Sequence, residues 1–79
     1  MIRKAYVPVM AHFDSEGNIT PVLITWEDGN TYEIDKVSDT RPAASLKAGG
    51  AGIRYTCKIH GKETYLFLEE SKWFVEAKK

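Results

Sequence analysis

Residues 53–60 alternate without a break. Ile53, Tyr55, Cys57 and Ile59 fall on one side of an extended chain, and Arg54, Thr56, Lys58 and His60 on the other. A two-residue period predicts a half-buried β-strand and is incompatible with a helix. Gly61-Lys62 follows as a two-residue turn with glycine first, which predicts a type II′ hairpin. That register sets Cys57 against Leu66 and Tyr55 against Leu68. Ser71-Lys72 makes a second tight turn, into Trp73–Ala77, where Trp73, Val75 and Ala77 extend the same apolar side. A three-strand meander therefore governs the C-terminal half.

The N-terminal half has the same pattern. Ala5, Val7, Val9, Ala11 and Phe13 alternate with Lys4, Tyr6, Pro8, Met10 and His12, which predicts one strand over 3–13. Pro8 lacks an N–H, so this strand belongs at an edge or carries a bulge. Asp14–Asn18 is a cluster of turn formers. Ile19–Glu27 is the next strand, with Val22, Ile24 and Trp26 together on one face. A loop at Asp28-Gly29-Asn30 then pairs Tyr32 with Trp26. Val37 is out of phase with Tyr32 and Ile34, which predicts a bulge near Asp35-Lys36.

One block breaks the alternation. Asp39–Tyr55 is small, basic and glycine-rich. Pro42 followed by Ala43-Ala44-Ser45-Leu46-Lys47-Ala48 and then Gly49 predicts a short helical turn near 42–48, proline at its start and glycine past its end. Gly49, Gly50 and Gly52 leave the backbone open to close approach.

Seventy-nine residues make a single domain over 1–79, with a small core and modest stability. The class is all-β: a small antiparallel barrel or bent sheet of about five to six strands, SH3-like as first choice and OB-like as second.

Charge and cysteine content narrow the functions. The net charge is zero, yet residues 1–35 carry Arg3 and Lys4 against six carboxylates, a balance of −4. Residues 36–58 carry Lys36, Arg41, Lys47, Arg54 and Lys58 against Asp39 alone, a balance of +4. A neutral total argues against strong non-specific nucleic-acid binding, while the basic middle keeps a local anion site open. The single cysteine, Cys57, excludes an intrachain disulfide and a four-cysteine zinc site. With no signal-like or membrane-spanning apolar run, the expected location is the cytoplasm and no membrane partner is expected.

The block Asp39–Tyr55, with Trp26-Glu27-Asp28-Gly29 and Gly61-Lys62-Glu63-Thr64-Tyr65, resembles a family of short uncharacterised bacterial proteins, mainly of Gram-positive anaerobes. The resemblance covers nearly the whole chain. It implies a compact β domain in a bacterial cytoplasm, and it brings no catalytic residue, ligand or partner with it.

Two functional surfaces stand beside simpler explanations. Backbone N–H groups of Gly49, Gly50 and Gly52, closed by Arg41, Lys47 and Arg54, make a candidate anion cradle. The simpler reading is a sharp barrel connection. It is not a Walker loop, having no Gly-Lys-Ser/Thr and no parallel sheet. The outward face of Arg54, Lys58, Tyr65, Phe67 and Phe74 combines cations and aromatics, as single-stranded nucleic-acid sites do. Against it stand Glu63, Glu69 and Glu76, and the alternatives of a second small core under the first strand or an ordinary solvated face.

Catalysis finds no support. Cys57 and His60 point to opposite faces, and Cys57 falls on the core side, unlike a reactive thiol. His12, Asp14 and His60 lack zinc-site spacing, so no metal or cofactor is expected. No serine sits in a nucleophile elbow, and no carboxylate pair suggests acid–base work. The expected function is therefore a non-enzymatic binding module for RNA, single-stranded DNA or phosphate through Arg41, Lys47, Gly49, Gly50, Gly52, Arg54, Lys58, Tyr65 and Phe67. The alternative is a protein-interaction or self-association module using an aromatic face or a strand edge.

Overall fold

The computed structural model describes residues 2–42 and 52–78. They form eight strands: β1 (Ile2–Tyr6), β2 (Val9–Phe13), β3 (Ile19–Thr25), β4 (Thr31–Glu33), β5 (Lys36–Pro42), β6 (Gly52–Ile59), β7 (Lys62–Glu69) and β8 (Lys72–Lys78). A five-stranded sheet runs β1-β8-β7-β6-β5, and a three-stranded sheet runs β2-β3-β4, with every pair antiparallel. The all-β class holds. Neither sheet closes on itself as a barrel, and the architecture is a bent sheet divided into two layers.

Where the chain changes layer, the sequence explains why. The single strand expected over 3–13 is two strands, because Pro8 cannot donate to a ladder. The Val7 N–H still reaches the Trp73 carbonyl at 3.1 Å, and the Pro8 carbonyl accepts from Thr25 N–H at 3.0 Å. Adjacent residues thus serve opposite sheets. The second crossing lies at Ile34-Asp35, between β4 and β5, where Ile34 N–H bonds to Val22 (2.9 Å) and Asp35 N–H to Lys58 (2.7 Å). The bulge expected at Asp35-Lys36 sits later, at Ser38, which is skipped between the pairs Val37–Cys57 and Asp39–Thr56. Its hydroxyl instead donates to the Thr56 carbonyl at 3.2 Å.

A second bulge corrects the facing of β3. Met10 pairs with Leu23 and Ala11 with Pro21, so Val22 is the extra residue. Phase flips there: Pro21 and Ile24 are buried, while Val22, expected beside Ile24, is exposed.

The turns decide the registers. Asp14–Asn18 and Trp26–Asn30 close in the same way. The Asp14 and Trp26 N–H groups donate to the Asn18 and Asn30 carbonyls at 3.0 and 2.8 Å, each with glycine at φ 88°. These are three-residue hairpins with glycine in the left-handed position. The Asp14 carboxylate accepts from the side chain and backbone of Asn18 and from the Glu16 N–H, which marks it as a turn residue and holds it below the usual carboxylate range. The second loop is Glu27-Asp28-Gly29, one residue earlier than expected, so Tyr32 faces Ile24 and not Trp26.

The C-terminal turns are likewise one residue earlier. His60-Gly61 (φ 50° and 76°) and Glu70-Ser71 (φ 51° and 67°) are both type I′, where type II′ is expected for the first. Tyr55 therefore faces Leu66 and Cys57 faces Thr64. A shift of two keeps every side chain on its expected face and changes every partner. Glu70 and Ser71 pay for a left-handed conformation that Asn-Gly adopts readily. Replacing them by Asn-Gly is expected to raise stability by about 1 kcal/mol, measured as a higher urea midpoint with unchanged m.

The expected helical turn near 42–48 begins on Pro42, which instead ends β5. Its other residues, and Lys47, Gly49 and Gly50, lie outside the described residues.

The core fills the space between the layers. Val7, Ile24, Tyr55, Cys57 and Leu66 are buried together, and Val9, Trp26, Tyr32, Val37, Leu68, Trp73 and Val75 among others pack around them. The Tyr55 hydroxyl donates to the Ile19 carbonyl at 2.7 Å, tying β6 to the start of β3. That bond satisfies the one polar atom the ring brings inside.

Candidate nucleic-acid interface

The candidate surface is the outer face of the five-stranded sheet, away from the core. The register defines a row across all five strands: Arg41 opposite Arg54, Arg54 opposite Phe67, Phe67 opposite Phe74 and Phe74 opposite Tyr6. A neighbouring row sets Asp39 opposite Thr56 and Thr56 opposite Tyr65, and a third sets Lys36 opposite Lys58 and Lys58 opposite Glu63. Cations thus lie on β5–β6 and aromatics on β7–β8–β1.

The aromatic half is a supported platform. Phe74 is 3% exposed although it points away from the main core. Phe67 stacks on it with centroids 5.0 Å apart and planes at 6°, and Tyr6 leans on it at 5.7 Å. Lys4 Nζ sits 4.7 Å from the Phe74 centroid and 3.5 Å from a Glu69 carboxylate oxygen. Phe74 is thus a pedestal, while Tyr6 (56%) and Tyr65 (45%) remain exposed. One expected alternative, a small second core near the first strand, is realised in part, because Phe74 and Phe67 bury each other beneath β1's Tyr6.

The basic half is less neutralised than its carboxylates suggest. Arg54 Cζ lies 4.7 Å from the Tyr65 centroid, a cation–π contact. Its Nε is buried and, among the described residues, has no hydrogen-bond partner. Arg41 pairs with Asp39 at 2.7 Å, an exposed pair of small energetic weight. Among the described residues, Arg54, Lys36 and Lys58 have no carboxylate within ion-pair distance. The remaining described pair, Arg3 with Glu27 at 2.6 Å, lies at the β1 edge; it lowers the Glu27 pKa and raises that of Arg3.

Of the residues expected at the site, Arg41, Arg54, Lys58, Tyr65 and Phe67 share this face. Gly52 is buried at the start of β6, and Lys47, Gly49 and Gly50 lie outside the described residues. The two-residue shift in register also sets the partners on this face: Arg54 stands opposite Phe67 and Lys58 opposite Glu63. Sequence reasoning missed Lys4, Tyr6 and Lys36. Their outward alternation was legible, but β1 as the neighbour of β8 was not.

Elsewhere the chemistry is sparse. Cys57 is fully buried and burial pushes its thiol up to about 11, which makes it inert at neutral pH. His60 sits in the turn, edge-on to Tyr32 at 5.3 Å. Among the described residues no three His, Cys, Asp or Glu side chains converge on a metal position, and no helix is long and apolar enough to cross a membrane. The chain matches no protein-family model, no curated protein and no solved structure.

Proposed function

We propose that this chain is a small, non-enzymatic binding module for single-stranded nucleic acid, RNA or DNA, acting in a bacterial cytoplasm. The observation that carries the reading is the composition of one face: Arg54 over Tyr65, beside the Phe67–Phe74 stack and exposed Tyr6. Bases stack on aromatic rings at about 1–3 kcal/mol each, and basic side chains follow the phosphates. Lys4 engages Glu69, which lowers the repulsion that carboxylate offers a phosphate. We read the fold as SH3-like, with OB-like second. In support, when β1–β2 and β4–β5 are each followed as one bent strand, every strand pairs with the next and the last with the first.

An amide NMR titration with a mixed-sequence single-stranded oligonucleotide tests this. At low salt, shifts are expected at Arg41, Gly52, Arg54, Lys58, Tyr65 and Phe67, together with Lys4 and Tyr6, and they shrink as salt rises. Tyr65→Ala is expected to cost about 1–3 kcal/mol of binding while the protein stays folded. Absence of shifts at low salt would sink the reading, because electrostatic binding is strongest there.

A protein-interaction or self-association module is the second reading. It is favoured by Met10 (64%) and Phe13 (68%), both exposed on β2, an edge strand open to strand addition. If Phe13→Ser leaves the sedimentation behaviour at high concentration unchanged, that reading loses its support.

A further inference from the structure

We infer that the bound single strand runs lengthwise along β6, its phosphates bridging two pairs of like charges that the β5–β6 ladder holds side by side. This rests on the nucleic-acid reading of the same face. The register places Arg41 directly opposite Arg54 and Lys36 directly opposite Lys58. Like charges directly opposed across an antiparallel pair are destabilising. Two such pairs on one face of one antiparallel strand pair work against folding, and three of the four side chains are exposed and bury little in return.

An anion placed between the members of each pair reverses the sign of that interaction. Asp39, opposite Thr56, lies between the two pairs, and its ion pair is with Arg41. It leaves the Lys36–Lys58 pair without a carboxylate in reach on β5. Glu63 stands opposite Lys58 on β7, but no ion pair joins them.

The spacing favours a polymer over a single phosphate. Arg54 and Lys58 are four residues apart on one strand, about 13 Å at the usual rise, so one small anion serves one pair only. Tyr65, opposite Thr56, sits between the two pairs on the β7 side, where bases attached to the bridging backbone would fall. Phe67 is the next aromatic along β7 on that face. On the other side β5 is the sheet edge, which leaves the phosphate backbone facing solvent.

The arrangement makes stability and binding respond in opposite directions, and Lys36→Gln reads both. Removing one charge of a repelling pair is expected to raise the melting temperature of the free protein at low salt. The same change is expected to weaken binding of oligothymidylates and to reduce the slope of log K against log salt by about 0.7, one phosphate contact on a single strand. In a series from two to twelve nucleotides, affinity is expected to climb until both pairs are spanned, at about four nucleotides, and then to level off.

A Lys36→Gln protein that melts lower than the parent, or binds the twelve-nucleotide strand with unchanged affinity and slope, overturns the path. In that second case, tight binding by the parent leaves the broader reading standing. A parent protein that binds no oligonucleotide at low salt removes the reading and the path together.

Discussion

Leu66→Ala is expected to lower the unfolding free energy by about 2–5 kcal/mol. Leu66 is 1% exposed and lies at the centre of the five-stranded sheet, with Tyr55 opposite on β6 and Val75 opposite on β8. Truncation removes the transfer free energy of the side chain and leaves a cavity between two sheets whose ladders resist collapse. A chain this short has a total stability of about 4–12 kcal/mol on per-residue averages, so the variant approaches the limit of folding. Urea titrations followed by the fluorescence of Trp26 and Trp73 measure the change. Val22→Ala is the internal control: Val22 is the bulged residue and 44% exposed, so its truncation is expected to stay within about 0.5 kcal/mol. Equal losses in the two variants would mean that the inner and outer faces have been misassigned.

Alkaline pH is expected to unfold the protein through Cys57. Burial raises this thiol from 9.0 to about 11 in the folded state. The folded protein therefore keeps a proton that the unfolded chain releases. Stability from this group is fully present below pH 9 and is lost as pH rises from about 9 to about 11, by some 2–3 kcal/mol at about 1.4 kcal/mol per pKa unit. Burial raises the Tyr55 phenol as well, and its loss has the same sign. The difference between the parent and Cys57→Ala stability profiles isolates the thiol, since ionisations common to both cancel. A parent profile that stays parallel to that of Cys57→Ala up to pH 11 would place Cys57 in contact with water. The same burial predicts that thiol reagents label Cys57 only as fast as the protein opens.

These two predictions depend on side-chain facing, and facing is what the sequence carried best. Strict alternation in 53–60 and 64–68 placed Tyr55, Cys57, Leu66 and Leu68 inside, and each packs within the core or against it. A period of two survives any even shift in register, which is why the faces held while the partners did not. The partners were set by turns. His60 at φ 50° and Ser71 at φ 67° hold conformations that local sequence rules reserve for glycine or asparagine, so both hairpins close one residue earlier than glycine placement suggests.

The candidate site divides in the same way. Its basic and aromatic side chains on β6 and β7 were legible, because Arg54, Lys58, Tyr65 and Phe67 occupy the polar phase of alternating strands. The charge excess of residues 36–58 was legible too. What the sequence could not supply was adjacency across strands distant in the chain. Tyr6 meets Phe74 through the β1–β8 pair, some seventy residues apart in sequence, and no local period encodes that meeting.

By itself, then, the sequence determined the all-β class, the inward and outward faces of most strands, and the sites where the chain must turn. Those properties follow from periodicity, from the missing N–H of proline and from the freedom of glycine, all local. Tertiary structure alone decided the division into two layers at Pro8 and at Ile34-Asp35, the bulges at Val22 and Ser38, and which cations stand side by side. These are settled by which ladder each backbone N–H can still join once the sheets pack, a competition among distant segments that no local stretch records.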